Sequence, residues 1–374
     1  MADFASAPQS IGVAGGGLMG RLMAWQLLRR GHRVTVFEAG PASGEQSAAF
    51  VAAAMLAPYS EAVTSGAELF AMSRNALAGW KALLQQLGEN SAHPVQLNDA
   101  GSVVVAHELD RANLSHFSRK LRAAVGDDGS VQSLDRAGIE ELEPELPHSF
   151  RQGVWLAGEG CLDNRALLVA LHDAIAAAGG VWQSNCPVQS VVAGEIQTAQ
   201  AIEKFDWVLD CRGLGAKPDW PEVRGVRGEI LWVKAPEVKL SRPVRLMHPR
   251  YHLYITPKPG NLYVVGATEI ESESQTPVTV RSELELLSAL YSVHSGFAEA
   301  HIVNSFARCR PALTNNLPQI RVRDGLIQIN GLYRHGYLLA PTVLESALGA
   351  FEGQQELAFV TEQTSVACRA GSHG

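Results

Sequence analysis

Three glycines near the start of the chain are spaced so that a phosphate group can approach the backbone closely. They belong to the sequence Gly15-Gly16-Gly17-Leu18-Met19-Gly20, between a short apolar segment, 10–14, and a segment with helical periodicity, 21–30. In this pattern the first glycine permits a tight turn, the second admits a pyrophosphate, and the third allows close packing of helix and strand. The sequence therefore predicts a strand, a phosphate-binding turn and a helix whose positive N-terminus holds the anion.

An acidic residue follows at the distance that a dinucleotide site requires. Glu38 and Ala39 come directly after a second predicted strand, 33–37, near the usual spacing of about 20 residues from the glycine pattern. The Glu38 carboxylate would accept hydrogen bonds from ribose hydroxyls, and an acid in place of an arginine disfavours the 2′-phosphate of NADP. Residues 10–39 therefore predict a dinucleotide site rather than a glycine-rich turn without a ligand.

A second glycine-rich turn helps to separate FAD from NAD, which share the first pattern. The apolar segment 205–211 leads into Gly213 and Gly215. A late strand of this kind, returning to the first nucleotide fold, is typical of flavoproteins with two dinucleotide folds. The segment 180–192, which contains Val188, predicts another short strand whose backbone lies beside the adenine. These features favour FAD, and NAD stays the alternative.

The elements that position these residues belong to a chain of 374 residues, of which 46% are hydrophobic and 18% are charged. This length exceeds the ~250–300 residues of one hydrophobic core, so two domains are expected.

No apolar run is long enough to span a membrane and no secretory signal is visible, which predicts a cytoplasmic protein. The five cysteines form no CxxC pair, which predicts reduced thiols and no metal site. A net charge of −7 without a basic run predicts no nucleic-acid partner.

Hydrophobic periodicity divides the chain into a nucleotide-binding part and a sheet-rich insert. Helices are predicted at 60–87, 110–125, 135–142, 165–178 and 280–294, with a closing helix from Leu344, and strands at 95–106, 229–233, 253–257, 262–266 and 327–330. The predicted fold is α/β with an α+β insert, in which a Rossmann-like FAD-binding domain carries a discontinuous sheet-rich substrate domain. The FAD-binding domain is predicted at 1–90, 145–220 and 300–364, the substrate-binding domain at 91–144 and 221–299, and a disordered tail at 365–374.

Five further motifs occur in order along the chain. They are the sequences AAAMLAP at 52–58, HLYITP at 252–257, VGAT at 265–268, RPA at 310–312 and YRHGYLLAP at 333–341. Together with the glycine pattern they resemble the glycine oxidase branch of the D-amino-acid-oxidase-like flavoproteins, the type linked to thiamine biosynthesis, over about residues 10–360. The resemblance implies FAD as cofactor, a small amino acid or amine as substrate, molecular oxygen as electron acceptor and a homotetramer.

In this family an arginine binds the substrate carboxylate beside the cofactor, and Arg310 resembles it. A planar guanidinium offers a carboxylate two parallel charge-assisted hydrogen bonds. By the same resemblance the Tyr254 hydroxyl shares that carboxylate and Arg334 lies near the flavin edge. His252 lies two residues before Tyr254 on a predicted strand, so its side chain would point to the same face and line the pocket. The alternatives are, in the same order, a surface salt bridge for the first arginine, a tyrosine of the sheet core, a solvated loop arginine and an ordinary partly buried histidine.

The resemblance also implies which residues contact the flavin. Met55 and Ala57 resemble residues beside the ring, and Gly336 would permit close approach of the backbone, with Tyr337 and Leu338 following it. A helix after residue 341 would direct its N-terminal dipole at the flavin pyrimidine, which stabilises negative charge on the reduced ring.

The activity implied by the resemblance is transfer of a hydride from the α-carbon of glycine or a small secondary amine to flavin N5. The products would be an imine and then an oxo acid, ammonia and hydrogen peroxide. No general base is assigned, because a neutral amine can lose hydride directly. Two other hypotheses stay open. One is a flavoprotein that oxidises a larger carboxymethylamino-type amine in a biosynthetic pathway or on a macromolecule, and the other is a redox-idle nucleotide-binding partner protein.

Several positions depart from the family pattern. Glu269 stands where the family often has an apolar side chain over the pocket, so it would pair with an amine, carry a raised pKa or point away. Thr314-Asn315-Asn316 stands where an aspartate is common, and Leu332 stands in place of a histidine. Cys309 prompts the idea of a covalent flavin bond, although an ordinary buried thiol is the favoured interpretation.

Overall fold

The computed structural model describes residues 7–88, 93–126, 129–248 and 252–363, with side chains at all of these positions except 252, 362 and 363. The tail predicted at 365–374 lies outside the described residues. In the described chain, strands β1 to β21 are Ser10–Ala14, Arg33–Phe37, Met55–Leu56, Leu97–Asn98, Ser102–Ala106, Val131–Leu134, Gly153–Leu156, Gly160–Leu162, Val181–Gln183, Val188–Val192, Glu195–Thr198, Ile202–Lys204, Trp207–Asp210, Arg224–Lys234, Val244–Met247, His252–Lys258, Leu262–Gly266, His301–Ala312, Gln319–Arg323, Leu326–Asn330 and Val360–Gln363. Helices α1 to α9 of the same residues are Leu18–Arg29, Ala48–Val51, Pro58–Ser73, Ala76–Gly88, Arg111–Val125, Arg136–Leu142, Asn164–Ala177, Val280–Val293 and Gly336–Phe351.

The first sheet places the predicted nucleotide-binding strands side by side. Over the described residues it has seven strands in the order β21-β19-β20-β13-β1-β2-β9, and those from β20 to β9 are parallel. β1 pairs with β2 on one side and β13 on the other, which sets Gly12 opposite Thr35 and Val208. The strands predicted at 10–14 and 33–37 and the returning strand within 205–211 are confirmed. Because parallel strands end at one edge of a sheet, the glycine turns after β1 and β13 are neighbours.

The segment predicted as one strand at 180–192 forms two strands. β9 lies at the edge of the seven-stranded sheet, whereas β10 pairs with β11 in a separate antiparallel sheet that also contains β12. Between them Asn185 has a positive φ of 54°, and Pro187 cannot donate a backbone hydrogen bond, so the chain turns instead of extending the ladder. The prediction of a single strand was therefore wrong, although Val188 does begin a strand.

The second sheet has eight strands over the described residues, in the order β18-β14-β17-β16-β15-β5-β7-β6, and is antiparallel except between β15 and β5. The strands predicted at 229–233, 253–257 and 262–266 are confirmed as parts of β14, β16 and β17. β7, which pairs with β5, and β18, which pairs with β14, belong to this sheet as well. The predicted domain boundaries at 145 and 300 therefore do not follow the sheets, and the division into domains stays a prediction.

Strand β18, the edge strand that contains Arg310, is absent from the sequence prediction. Its first five residues, 301–305, are all exposed, so they show no alternation of polar and apolar side chains. Pro311 argues against a strand as well, but a proline is tolerated at the edge of a sheet, where β18 lies. The pairing of β18 with β14 is thus a tertiary feature that the local pattern does not indicate.

Two predicted helices have different bounds in the structure. The helix predicted at 60–87 is divided into α3 and α4, and α3 itself is kinked at Gly66, whose φ is 85°. The helix predicted from Leu344 begins earlier, at Gly336, and includes Pro341. The sequence prediction began the helix only after this proline, because a proline normally interrupts a helix.

Pro341 is tolerated within α9 because another helix supplies the missing donor. A proline has no N–H to donate to the carbonyl four residues earlier, which here belongs to Tyr337. The indole Nε1 of Trp80, in α4, donates to that carbonyl at 2.7 Å. Gly79 provides the room for this contact, since a Cβ at that position would lie 2.7 Å from Pro341 Cβ.

None of the described helices combines the length and the apolar character that crossing a membrane requires. Within the described ranges, no group of three His, Cys, Asp or Glu side chains is arranged to hold a metal ion. Cys161, Cys186, Cys211 and Cys309 are free thiols, and Cys368 lies outside the described residues.

We expect Trp80→Phe to lower the free energy of unfolding by about 1–3 kcal/mol more than Trp220→Phe does, because it leaves the Tyr337 carbonyl buried without a donor. Trp220 is the matched control: it is fully buried, but its indole N–H has no hydrogen-bond partner among the described residues. Urea unfolding followed by circular dichroism measures both variants. Equal losses would show that the Trp80 hydrogen bond does not support α9.

Candidate active site

A cavity of about 1510 Å³ connects the carboxyl edge of the seven-stranded sheet with β14, β16 and β18 of the eight-stranded sheet. It exceeds the ~300–1,000 Å³ of a typical small-ligand pocket, so it has room for a large cofactor and a substrate. The predicted site residues that line it are Gly15, Gly17, Leu18, Met19, Glu38, Ala39, Met55, Ala57, Val188, Gly213, Gly215, Tyr254, Glu269, Arg310, Arg334, Gly336, Tyr337 and Leu338. The fold thus brings the predicted cofactor residues and the predicted substrate residues into one space.

The three fingerprint glycines have different surroundings. Gly15 has a φ of 96°, and a Cβ there would lie 2.7 Å from the Cys211 carbonyl oxygen, so the turns after β1 and β13 are in close contact. A Cβ at Gly17 would have no protein atom within 4 Å, so this position faces the open cavity. Gly20 does not line the cavity, because it packs behind the turn, where a Cβ would meet the Gly15 carbonyl oxygen. No side chain caps the N-terminus of α1, which leaves its first N–H groups available to an anion.

A buried arginine that the sequence prediction did not include holds this turn. Arg21 is fully buried, and its guanidinium donates to the carbonyls of Gly16 at 2.7 Å, Leu168 at 2.8 Å and Ala42 at 2.6 Å. Burial lowers the pKa of Arg21 to about 10, so the side chain stays protonated near neutral pH. Its charge lies beneath the turn that a pyrophosphate would approach.

The Glu38 carboxylate lies at the edge of the same turn. Oε2 accepts from the Gly16 N–H at 2.6 Å and Oε1 accepts from the Gly40 N–H at 3.0 Å. An ionised carboxylate has about four acceptor positions, so two remain for hydroxyl donors. The orientation of Glu38 is therefore fixed by the backbone, and it fits the predicted contact with a ribose.

Small residues form one wall of the cavity. Residues 52–54 are alanines, and Ala54 has a positive φ of 52°. Hydrogen bonds behind the wall hold this conformation. The buried Lys258 ammonium donates to the carbonyl of Ala53 at 2.8 Å and to the carbonyl of Leu162. The N–H of Leu162 in turn donates to the carbonyl of Ala54 at 3.0 Å. The wall is thus backed by fixed hydrogen bonds and presents only methyl groups, as close contact with a flat ring requires.

At the other end of the cavity, Arg310 is oriented by carbonyl groups alone. Its Nη1 and Nη2 each lie 3.2 Å from the Thr268 carbonyl oxygen, and Nη1 lies 3.4 Å from that of Arg227. The guanidinium lies over Gly228, where a Cβ would be 2.4 Å from Arg310 Cζ. No carboxylate among the described residues forms an ion pair with it. The predicted alternative of a surface salt bridge is therefore wrong, and the positive charge is not neutralised.

A buried ion pair holds the backbone that orients Arg310. The Arg227 guanidinium contacts Glu229 Oε1 through Nε at 3.1 Å and Nη2 at 2.7 Å, and its other hydrogen bonds are to the carbonyls of residues 274, 276 and 277. Glu229 Oε2 accepts from the Thr268 hydroxyl at 3.1 Å. Both charged side chains are almost completely buried, and together they fix β14, Thr268 and the segment 274–277, whose Gln275 lines the cavity.

Arg334 is not a solvated loop arginine. Its Nη1 lies 2.8 Å from Glu269 Oε2, and its Nη2 lies 2.8 Å from Glu61 Oε2 and 2.6 Å from the Thr64 hydroxyl. Glu269 lines the cavity with about half of its side chain exposed. Partial burial raises its pKa, but the hydrogen bond from Tyr333 and the charge of Arg334 outweigh this, so the pKa of Glu269 lies below its ordinary value. A raised pKa, one of the predicted alternatives, is therefore contradicted.

Glu61 is a cavity residue that the sequence prediction did not include. It also approaches Arg245 Nη2 at 3.5 Å and His335 Nδ1 at 3.6 Å. Burial raises the pKa of Glu61, but the charges of Arg334, His335 and Arg245 outweigh it and lower this pKa to about 2. The carboxylate thus stays ionised at physiological pH. Its one sequence signal is an acid in the first turn of α3, which is equally common in helices without a function.

Tyr254 lies within the group of charges and lines the cavity. Burial raises the pKa of Tyr254, so its hydroxyl keeps the proton and can donate. His252 belongs to the same strand, two residues earlier, but its side chain lies outside the described part of the chain. Its predicted role therefore stays a prediction.

Cys309 has the environment of an ordinary buried thiol. Its Sγ lies 3.6 Å from the carbonyl oxygens of Ser272 and Ser274, to which it donates. Burial raises the pKa of Cys309, which disfavours the thiolate that covalent chemistry would use.

A glycine turn at a helix N-terminus, a backbone-fixed acid beside it and a wall of methyl groups, all open to a pocket with a charged end, are the arrangement expected of a dinucleotide-dependent oxidoreductase. A family model described as FAD dependent oxidoreductase matches residues 10–343, and the chain belongs to this family. Its cofactor is FAD, and the predicted α/β flavoprotein fold is confirmed. The cavity fits FAD on the observations above: an open Gly17, a backbone-fixed Glu38 and a wall of methyl groups.

Relatives and solved structures agree with this family. The chain is 38% identical over 331 residues to a Rhizobium etli protein named as the thiamine biosynthesis oxidoreductase ThiO, an alignment that covers 88% of this chain and 93% of the relative. It is 28% identical over 347 residues to the glycine oxidase of Geobacillus kaustophilus, with 88% and 89% covered. The crystal structure of glycine oxidase from Geobacillus kaustophilus superimposes with a TM-score of 0.82 at 26% identity and covers 95% of this chain and 97% of that one.

We expect Gly17→Val to abolish FAD binding while the apoprotein stays folded, because the new side chain enters the cavity and meets no protein atom. Gly20→Ala is the matched comparison: its Cβ would clash with the Gly15 carbonyl oxygen, so it should lower the free energy of unfolding of the apoprotein itself. Flavin fluorescence titration and urea unfolding measure the two effects. A Gly17→Val protein that binds FAD with unchanged affinity would show that the pyrophosphate does not approach this position.

His335 should make the stability of the protein depend on pH. Burial lowers the pKa of His335 to about 4 despite the neighbouring Glu61 carboxylate. Between pH 6.5 and this value the unfolded chain binds a proton that the folded chain does not, so the free energy of unfolding falls as the pH falls. We expect His335→Gln to reduce the difference between unfolding free energies measured at about pH 7 and about pH 5, whereas the exposed His148→Gln should not. An unchanged difference in the His335 variant would contradict this account.

Proposed function

We propose that this protein oxidises the α-carbon of glycine or of a small secondary amine such as sarcosine. The observation that carries the proposal is Arg310, a cavity-lining guanidinium that is oriented by two carbonyls and neutralised by no carboxylate of the described chain. Such a group is suited to hold the carboxylate of an amino acid through two parallel hydrogen bonds. The names of the relatives, a glycine oxidase and a ThiO, support the same substrate class.

The proposed reaction balances without a further cofactor. The substrate loses its α-hydrogen with both electrons and an amine proton, and becomes an imine. Bound FAD supplies the two-electron acceptor, and molecular oxygen then takes up these two electrons and two protons as hydrogen peroxide. Water hydrolyses the imine to an oxo acid and ammonia, or to an oxo acid and a primary amine when the substrate is a secondary amine.

The chain's own residues would bind and orient the substrate in this proposal. Arg310 anchors the carboxylate, and the protonated hydroxyl of Tyr254 donates to it as well. Residues Gly15, Gly17, Leu18, Met19 and Glu38 hold the nucleotide end of FAD, while Met55, Ala57 and the backbone at 336–338 border the ring. The seven-stranded sheet would then be the FAD-binding part and the eight-stranded sheet the substrate part.

The titratable groups near Arg310 support hydride transfer from a neutral amine without a general base. An efficient base has a pKa near the working pH. The pKa of Glu61 is lowered to about 2 and that of His335 to about 4, so both are weak bases near neutral pH. Their role is to fix Arg334 and the turn that precedes α9, which borders the cavity.

A second candidate is the oxidation of a larger carboxymethylamino-type amine. The observation in its favour is the extent of the cavity, which continues past Tyr254 to Asn113, His116 and Lys120 of α5. Steady turnover of free glycine would exclude it as the main activity. Turnover of a larger amine by an enzyme that is inert to glycine would establish it.

We expect glycine or sarcosine to bleach the oxidised-flavin absorption of the purified holoprotein under anaerobic conditions. Arg310→Ala should retain FAD but raise the apparent substrate constant at least about tenfold, because loss of a charge-assisted contact costs about 1.5–3 kcal/mol. The apparent substrate constant of Arg310→Lys should lie between those of the wild type and Arg310→Ala, since lysine keeps the charge but lacks the planar guanidinium.

Arg308→Ala is the matched control for Arg310→Ala, because Arg308 lies one pleat away on β18, lines the same cavity and donates to the Ala307 carbonyl. Its effect on the apparent constant should be at most a fewfold. An equal rise of the apparent substrate constant in both variants would mean that Arg310 acts through the overall positive charge of the cavity and does not bind the carboxylate directly. A yellow protein that no small amine bleaches would reject the proposed substrates and favour the larger carboxymethylamino-type amine, and one that no amine of either kind bleaches would favour the redox-idle hypothesis.

A further inference from the structure

The arginine side chain of Arg334 fixes the position of Glu269, the acidic residue at the end of the cavity that contains Arg310. Glu269 follows β17, and its Oε2 lies 2.8 Å from Arg334 Nη1. Tyr333 donates a second hydrogen bond to the same carboxylate. The side chain nevertheless keeps about half of its surface exposed to the cavity, so its negative charge faces the space in which a substrate would lie.

Arg334 is held between two carboxylates. Its Nη2 contacts Glu61 on the buried side, and its Nη1 contacts Glu269 on the cavity side. Glu61 is also shared with Arg245, so the charges of these four side chains balance. Arg310 is outside this balance, because it contacts only backbone carbonyls.

Arg310 and Arg334 therefore differ in whether they can bind a carboxylate of a ligand. Arg310 is open to one carboxylate. The cavity-facing side of Arg334 is already occupied by Glu269, which is also near enough to Arg310 to interact with its charge. A ligand with two carboxylates would place its second acid close to the carboxylate of Glu269, where like charges repel.

We propose that Glu269 is a specificity-determining residue, which restricts the pocket to amines that carry one carboxylate by occupying the side of Arg334 where a second carboxylate would bind. This inference rests on the proposed function, since it takes Arg310 as the anchor of the first carboxylate. It defines the excluded substrate class as amino dicarboxylates. It also predicts that removal of one negative charge converts the pocket into a site for two carboxylates.

The test compares Glu269→Gln with the wild-type holoprotein. Acetate and malonate, which are not oxidised, are titrated into each protein, and the shift of the visible flavin spectrum gives their dissociation constants. We expect Glu269→Gln to tighten malonate binding at least about tenfold and to change acetate binding less than about threefold. The ratio of kcat/KM for iminodiacetate to that for glycine should rise by a similar factor.

Two further variants control for charge and for local structure. Glu269→Asp keeps the charge and should retain the wild-type preference for acetate. Glu285→Gln removes an exposed acid that lines the outer part of the same cavity on α8, and it should leave the malonate-to-acetate ratio unchanged. Tighter malonate binding in Glu285→Gln to the same degree would show a general effect of net charge and would overturn the proposal.

The remaining outcomes separate this inference from the proposed function. If acetate binds to wild type and to Glu269→Gln but the malonate ratio stays the same, Glu269 does not set specificity, while the carboxylate anchor stands. If acetate does not perturb the flavin of the wild-type protein, and glycine does not bleach it, the anchor at Arg310 is rejected and this inference with it.

Discussion

The substrate end of the cavity depends on the buried ion pair between Arg227 and Glu229. Arg227 uses its guanidinium to bind one carboxylate oxygen and three backbone carbonyls of the segment 274–277, so it joins β14 to a segment that borders the cavity at Gln275. Glu229 binds the hydroxyl of Thr268, whose carbonyl in turn orients Arg310. A buried pair of this kind is costly to break, because either partner alone would leave an unpaired charge in the interior. The orientation of Arg310 thus depends on a pair of buried charges that do not themselves line the cavity.

Buried charged side chains also fix the backbone at the end of the cavity that contains the glycine turn. Arg21 binds three carbonyls and no carboxylate, and it fixes the Gly16 backbone on which the phosphate turn depends. Glu38 reaches the same backbone from the other side. At both ends, a buried charged group shapes the main chain, and the main chain then presents the group that faces the ligand. The cavity can therefore be polar at its functional points while the larger part of its wall is apolar.

The sequence predicts the cofactor end better than the substrate end, and the reason is physical. A phosphate turn needs glycines at fixed spacing and an acid after the next strand, so residues 10–39 carry their own signal. Glu61 and Arg245 carry no signal specific to a site, because they become site residues only when α3 and β15 meet across the cavity. The motif around Arg310 was recognisable by resemblance, whereas the strand that holds it was not, since its exposed half lacks alternation and it owes its form to β14.

Helix α9 shows how such long-range dependence constrains sequence change. Its proline is acceptable only beside a residue without a side chain, Gly79, and a neighbouring indole donor, Trp80. If Pro341 were replaced by a non-glycine residue with an N–H, the Tyr337 carbonyl would regain its partner within the helix and the indole N–H of Trp80 would no longer be needed there, whereas Gly79 would still face a Cβ at position 341. Positions 80 and 341, distant in the chain, are therefore coupled, since a proline at 341 is tolerated while position 80 supplies a donor to the Tyr337 carbonyl.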